Sequence, residues 1–327
     1  MLHALNCVVP MVTLPQWPPE LYLWLLYSLV LLGERVVPTP PHNHPLQLTT
    51  LARAMAHKVH SPSHTRSQQR ISGLMATLTL LGPGLLIVAL IFWISDQAWV
   101  LSALCLYLSA ASRRQYRAYQ AISAALRDNQ LAAARTLLQA HVSRDTSQLS
   151  AIGVSKANLE WYSRFIIQAW VASVFWFALL GPLAALAYRG LYELAQAWPV
   201  MRKRWHDFGF AANWLLRRLA APSMLLSYLV FAAWQLSKGK VLPWRFVQQP
   251  FMHVQDGRLW RALASQMTIC LGGPIMLEGD KRQRPRFNYG SEPGAHTLAA
   301  GQLQITRLQC LLWLMLSPLF LISLVIQ

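Results

Sequence analysis

Residues 73–95 read Gly-Leu-Met-Ala-Thr-Leu-Thr-Leu-Leu-Gly-Pro-Gly-Leu-Leu-Ile-Val-Ala-Leu-Ile-Phe-Trp-Ile-Ser, without one ionisable side chain. A helix rises about 1.5 Å per residue, so this stretch covers the roughly 30 Å hydrocarbon core of a bilayer. Lipid offers no partner to backbone N–H and C=O groups, so a segment of this kind satisfies them internally as a helix. The composition agrees with a membrane protein. Hydrophobic residues make up 54% of the 327 and charged residues 13%, about half the share of a soluble domain.

Working outward, three more stretches lack ionisable groups and approach spanning length: residues 165–188, 219–237 and 308–326. A shorter one, 97–112, pairs with 73–95 across Asp96 as a helical hairpin. Another, 21–33, lies between Glu20 and Glu34. The expected fold is therefore all-α, a polytopic helical integral membrane protein with five or six membrane helices in one domain over 1–327. The N-terminus lacks a basic n-region and a small-residue cleavage site, so 21–33 reads as a retained first segment. No ionisable residue lies within the long apolar segments, which speaks against a transporter with a midplane coupling site.

The four polar regions, 34–72, 113–164, 189–218 and 238–307, are all basic, and the formal charge is +17. Basic surfaces can bind nucleic acid. No RNA-binding or zinc-finger signature accompanies the charge, however, and cytoplasmic loops of membrane proteins are rich in Lys and Arg and face anionic lipid. Membrane lipid is the expected partner, and nucleic acid is not. Simple alternation would place 189–218 opposite the other three regions, against the positive-inside tendency. Gly181-Pro182 interrupts 165–188, and a re-entrant or broken helix there would return 189–218 to the cytoplasmic face.

Within 113–164, Tyr116, Tyr119, Ile122 and Leu126, then Leu131, Ala134 and Leu138, recur at helical spacing on either side of Asp128-Asn129. This predicts a cytoplasmic hairpin of two amphipathic helices delivering the chain to Arg144-Asp145-Thr146-Ser147. A guanidinium, a carboxylate and two hydroxyls within four positions suit a phosphate or metal-phosphate ligand. The same residues also suit an ion pair and an N-cap, with Ser150 or Thr146 opening the next helix. Nothing in the chain reads as a sheet.

Other chemistry-bearing residues are sparse. His42, His44, His57, His60 and His64 cluster without the spacing of a closed zinc site. Cys7, Cys105, Cys270 and Cys310 lie far apart and read as reduced packing residues. Acidic residues number 12, the nearest to the Arg144 string being Asp145, Glu160, Glu193 and Asp207. There is no Walker motif, and Leu271-Gly272-Gly273-Pro274 is too short to cradle phosphate alone.

In order, the chain carries His44-Pro45, Arg70, Gly73, Arg144-Asp145-Thr146-Ser147-Gln148-Leu149, Gly153, Glu160, Phe175-Trp176, Ala187-Tyr188-Arg189, Phe208-Gly209 and Leu271-Gly272-Gly273-Pro274. Together these resemble the CobD/CbiB family of cobalamin-biosynthesis membrane proteins over roughly residues 40–300. The resemblance implies a multi-pass protein of the bacterial inner membrane. It also implies adenosylcobinamide-phosphate synthase activity, the ATP-dependent amide ligation of an amino-alcohol phosphate to adenosylcobyric acid. ATP and Mg²⁺ would then be cofactors and a corrinoid the substrate. Asp145 and Glu160 would be catalytic, with Asp145 on the metal. Arg144, Thr146, Ser147, Gly272, Gly273 and His44 would bind substrate or phosphate. The oligomeric state stays open.

The chain also departs from the family pattern. Arg164 and Phe165 replace an acidic residue and an asparagine, and Ile167-Gln168-Ala169 replaces Ser-Asp-Gly. Tyr192-Glu193-Leu194-Ala195 replaces Asn-Thr-Leu-Asp, and His253-Val254-Gln255-Asp256-Gly257 replaces Ser-Pro-Asn-Ala-Gly. Trp260 replaces a glutamate. A second reading follows: a non-catalytic homologue, similar to AmpE, that binds a ligand or acts as a sensor or regulator.

Overall fold

The computed structural model describes the backbone of residues 19–33, 48–61, 63–243 and 252–326. The described residues form twelve α-helices and four strands of three residues each. Helix α1 spans Pro19–Gly33, α2 Leu48–Val59, α3 Arg66–Ile94 and α4 Ala98–Ala110. The amphipathic pair is α5, Arg113–Arg127, and α6, Leu131–Gln139. Helix α7, Ala151–Phe165, continues through a π-helical segment, Ile166–Val171, into α8, Ala172–Leu180. Then follow α9, Pro182–Ala197, α10, Phe210–Leu236, α11, Val254–Met267, and α12, Ala295–Ile326.

Helix starts follow their capping residues. Thr65 and Gln68 form a reciprocal capping box at α3, satisfying two amide groups that a helix start leaves free. Ser150 accepts from the Gly153 amide at 3.2 Å and opens α7, as one of the two sequence readings of this stretch expects. Pro182 stands at the first position of α9, where its missing N–H carries no penalty.

Three of these helical stretches are long and apolar enough to cross a membrane: Arg66–Ile94, Ala151–Leu180 and Phe210–Leu236. The expected span 165–188 is corrected. The long helix begins earlier, at Ala151, and stops at Leu180, because Gly181 adopts φ +84° and Pro182 starts a new helix. The new helix folds back on the old one, since the Tyr188 hydroxyl donates to the carbonyl of Gln168. The break that Gly181-Pro182 predicts is therefore present. On α3, Leu86, Ile87, Leu90, Ile91 and Trp93 are exposed. An apolar face of that extent is stable against lipid rather than water.

The four polar regions meet. Arg70 pairs with Asp207 at 3.0 Å, tying 34–72 to 189–218. The Lys203 amide donates to Glu278 at 3.3 Å, tying 189–218 to 238–307. The Asp145 amide donates to the Met276 carbonyl at 3.0 Å, tying 113–164 to 238–307. A chain that simply alternated across a bilayer would keep 189–218 away from the others; the turn at Gly181 removes that conflict.

The absence of sheet expected from the sequence is also corrected. Strands β1, Cys270–Gly272, and β4, Arg286–Asn288, pair antiparallel around a hairpin of β2, Ile275–Leu277, and β3, Asp280–Arg282. Glu278 (φ +50°) and Gly279 (φ +84°) connect β2 to β3, the two positive-φ positions of a tight hairpin turn.

Candidate anion-binding site

Glu160 organises the site. It lies in α7, 1% exposed, and its carboxylate accepts three hydrogen bonds. Arg144 Nη2 donates to Oε2 at 2.7 Å, Arg284 Nη2 to the same oxygen at 3.1 Å, and the Gly272 amide to Oε1 at 2.9 Å. The Trp260 indole donates to the Glu160 carbonyl at 3.2 Å. An unpaired charge at this depth would be costly, and two guanidiniums with a backbone amide supply its partners. Arg284 is fixed further by the Gly273 carbonyl at 3.1 Å and by stacking over Trp260. The Arg144 side chain is itself 12% exposed. Burial lowers its pKa, the Glu160 carboxylate raises it, and the Arg284 guanidinium lowers it again.

The Arg144 loop is held from the other side by α6. Thr146 is buried, and its amide donates to Gln139 Oε1 at 3.0 Å. Its hydroxyl lies 2.9 Å from the same oxygen and 3.0 Å from the Arg135 carbonyl. Gln139 in turn donates to the Arg144 carbonyl at 3.2 Å. The amphipathic hairpin thus presents the arginine to Glu160. Asp145 is exposed, and its carboxylate accepts from the Ser147 amide at 2.9 Å. That bond depresses its pKa, which suits a carboxylate that stays ionised and faces a cation rather than one that takes up a proton. Ser147 is exposed beside it.

A cavity of about 690 Å³ opens next to this cluster, within the usual range for small-ligand sites. Arg284, Arg164, Trp260, Ser143 and Leu277 line both it and a smaller recess that reaches Arg144 and Glu160. Several positions where the chain departs from the family pattern also gather here. Gln168 Nε2 donates to Asp256 Oδ1 at 3.2 Å, and Arg164 Nη1 lies 3.9 Å from Asp256 Oδ2. Arg217 and His253 complete this wall.

The sequence-derived residues therefore separate. Arg144, Glu160, Gly272 and Gly273 converge, Thr146 is a buried anchor, and Asp145 and Ser147 stand at the loop surface without lining the cavity. His44 lies outside the described residues. Sequence reasoning missed Arg284, which sat within an apparent basic run, and the placement of Trp260 and Arg217. Among the described residues no group of three or more His, Cys, Asp or Glu side chains gathers as for a metal. Of the carboxylates lining the cavity, Asp256 and Asp207 are engaged by Arg164 and Arg70, and Glu278 accepts from the Lys203 amide. A protein-held Mg²⁺ demands oxygen ligands, so the donor set does not fit one; it fits an anion.

A family model described as CobD/Cbib protein matches residues 27–304. The chain belongs to the CobD/CbiB family. A cobalamin biosynthesis protein CobD of Chromobacterium violaceum is 27% identical over 280 residues, covering 82% of this chain and 88% of that protein. The namesake of Mycobacterium tuberculosis strain H37Rv is 26% identical over 263 residues, covering 78% and 82%. A cobalamin biosynthesis protein CbiB of Salmonella choleraesuis is 27% identical over 198 residues, covering 57% and 60%. No solved structure matches. This CobD/CbiB member thus gathers Arg144, Glu160 and the Gly272-Gly273 turn in one cluster, with Arg164 and Arg217 on the facing wall.

Proposed function

We propose that this chain acts in cobalamin biosynthesis at the bacterial inner membrane, in the amide ligation of an amino-alcohol phosphate to adenosylcobyric acid. The observation that carries this reading is the convergence of Arg144, Glu160 and Gly272 beside an arginine-lined cavity. Both small substrates of that reaction are phosphate compounds, and guanidinium is the side chain best matched to phosphate oxygens. ATP supplies the activation that turns the corrin carboxylate into an acyl donor. Glu160 holds Arg144 and Arg284 in place so that neither must reorganise when phosphate arrives. Asp145, ionised at the loop surface outside the cavity lining, attracts the ammonium of the incoming amino alcohol. The basic ends of the spans stand in the cytoplasm in a multi-pass arrangement, which gives both soluble substrates access.

The test is conversion by the full chain purified in detergent, given adenosylcobyric acid, ATP with Mg²⁺ and aminopropanol phosphate. ATP-dependent amide product, lost in Arg144→Gln, is expected; wild-type protein that makes no product overturns the reading.

A second reading has one observation in its favour. Glu160 and Asp256, the carboxylates closest to the cavity's arginines, are already engaged by them. A non-catalytic, AmpE-like homologue would keep the ligand site and lack the reaction. Corrinoid or phosphate binding without product formation identifies it.

A further inference from the structure

The Arg144–Glu160–Arg284 cluster accounts for one end of the cavity, and the opposite wall carries positive charge with less to neutralise it. Arg164 is held by Asp256 through a single 3.9 Å approach, and Asp256 spends its other oxygen on Gln168. Arg217, half-buried on α10 and lining the same cavity, has no carboxylate within ion-pair distance among the described residues. Burial, then the charge of Arg217, lowers the pKa of the neighbouring His253; Asp256 opposes this and Arg164 adds to it. Of the other charged cavity residues, Lys203 and Arg282 both pair with Asp280, Asp207 pairs with Arg70, and Glu278 accepts from the Lys203 amide, so that these three cations and three carboxylates balance. Around the two arginine clusters, Arg144, Arg164, Arg217 and Arg284 face Glu160 and Asp256. The surplus of two positive charges equals the charge that a phosphate monoester approaches at neutral pH, about −1.5 to −2.

We propose that Arg217, supported by Arg164, is the direct recognition wall for a phosphate monoester in this cavity, and that the anion is bound without a metal ion. Guanidiniums at these positions replace the electrostatic work that carboxylate-held Mg²⁺ would do, because a cation fixed in the wall attracts phosphate by itself. The site's identification with the amino-alcohol phosphate rests on the proposed function; the metal-independent anion site does not. The same chemistry is offered by a soluble phosphate ester and by a lipid headgroup.

The experiment titrates O-phosphoethanolamine into the full chain in detergent with EDTA and no nucleotide or corrinoid, read by calorimetry. Saturable binding is expected, weakened about tenfold or more by Arg217→Gln, since bonds to charged groups carry much of such affinity. Arg217→Lys keeps most of it, and Arg218→Gln, the exposed neighbour outside the cavity, leaves it unchanged. No saturable binding in EDTA, binding that appears only with Mg²⁺, or equal binding by Arg217→Gln overturns the proposal. The wild-type EDTA and Mg²⁺ titrations decide the matter even if the variant does not fold. Titration in phosphatidylcholine nanodiscs with and without phosphatidylglycerol separates the sources. Unchanged affinity assigns the wall to a soluble ester, and competition by phosphatidylglycerol assigns it to a headgroup; either upholds the anion site. Binding is read without turnover, so a chain that makes no amide can still pass this test, and the reverse.

Discussion

Arg144 donates to Glu160 across 2.7 Å, joining the loop after α6 to the middle of α7 with both side chains largely withdrawn from solvent. The same carboxylate oxygen serves Arg284, so one anion compensates two cations. Replacing Glu160 by Gln leaves two buried guanidiniums without counter-charge. Breaking a buried pair from one side costs about 3–5 kcal/mol. Thermal unfolding in detergent is expected to show a fall of several degrees for Glu160→Gln, larger than for Arg144→Met. An unshifted melting point would show that water reaches the cluster.

Gly272 and Gly273 both adopt positive φ, at +76° and +101°, but differ in surroundings. A Cβ on Gly272 would stand 2.3 Å from the Pro285 carbonyl oxygen, whereas one on Gly273 would meet nothing within 4 Å. Gly273→Ala is expected to cost only backbone strain, about 1–2 kcal/mol. Gly272→Ala adds a clash with rigid backbone and pulls the amide away from Glu160. Melting points of the two variants should therefore rank wild type, Gly273→Ala, Gly272→Ala, and equal losses would contradict the packing.

His141 stacks on Trp161 with ring centroids 4.3 Å apart, and burial, then the charge of Arg114, lowers its pKa from 6.5 to about 4. Between those values the unfolded chain binds a proton that the folded chain does not. Stability therefore falls as pH drops from 6.5 towards 4, by up to about 3 kcal/mol. Melting points recorded from pH 7 to 4.5 should show this decline, and His141→Phe should flatten it. An identical pH profile in the variant would assign the decline to another group.

Much of the fold was legible because its signals are local. Gly181-Pro182 announced the break, and the spacing of Tyr119, Ile122 and Leu126 announced the buried face of α5, where Tyr119 and Ile122 are fully enclosed. The β segment was not legible, since strands of three residues are too short for alternation to register. Leu277-Glu278-Gly279-Asp280, a glycine-containing two-residue connection, was the one signal that pointed to a hairpin. In the site, Arg144 and Glu160 stood out through the family pattern. Arg284 looked like any other basic residue of a charged run. Only the hairpin turn reverses the chain so that one member of that run, 6% exposed, points inward at Glu160.

Asp145 separates chemistry from architecture. Its carboxylate accepts from the Ser147 amide and interacts with the Ser147 hydroxyl, both at the surface, so Asp145→Ala should change stability by about 1 kcal/mol or less. Loss of amide formation with an almost unchanged melting point is expected, as for a residue that draws in the substrate without supporting the fold. Full activity in this variant would remove Asp145 from the reaction.

The most direct measurement is complementation of a bacterial strain lacking its own CobD/CbiB protein, grown where growth requires corrin-dependent metabolism and supplied with cobyric acid. The wild-type chain, confirmed in the membrane fraction, is expected to restore growth, while Arg144→Gln at equal abundance does not. Wild-type protein present in the membrane without any restored growth would contradict an amide-ligating role.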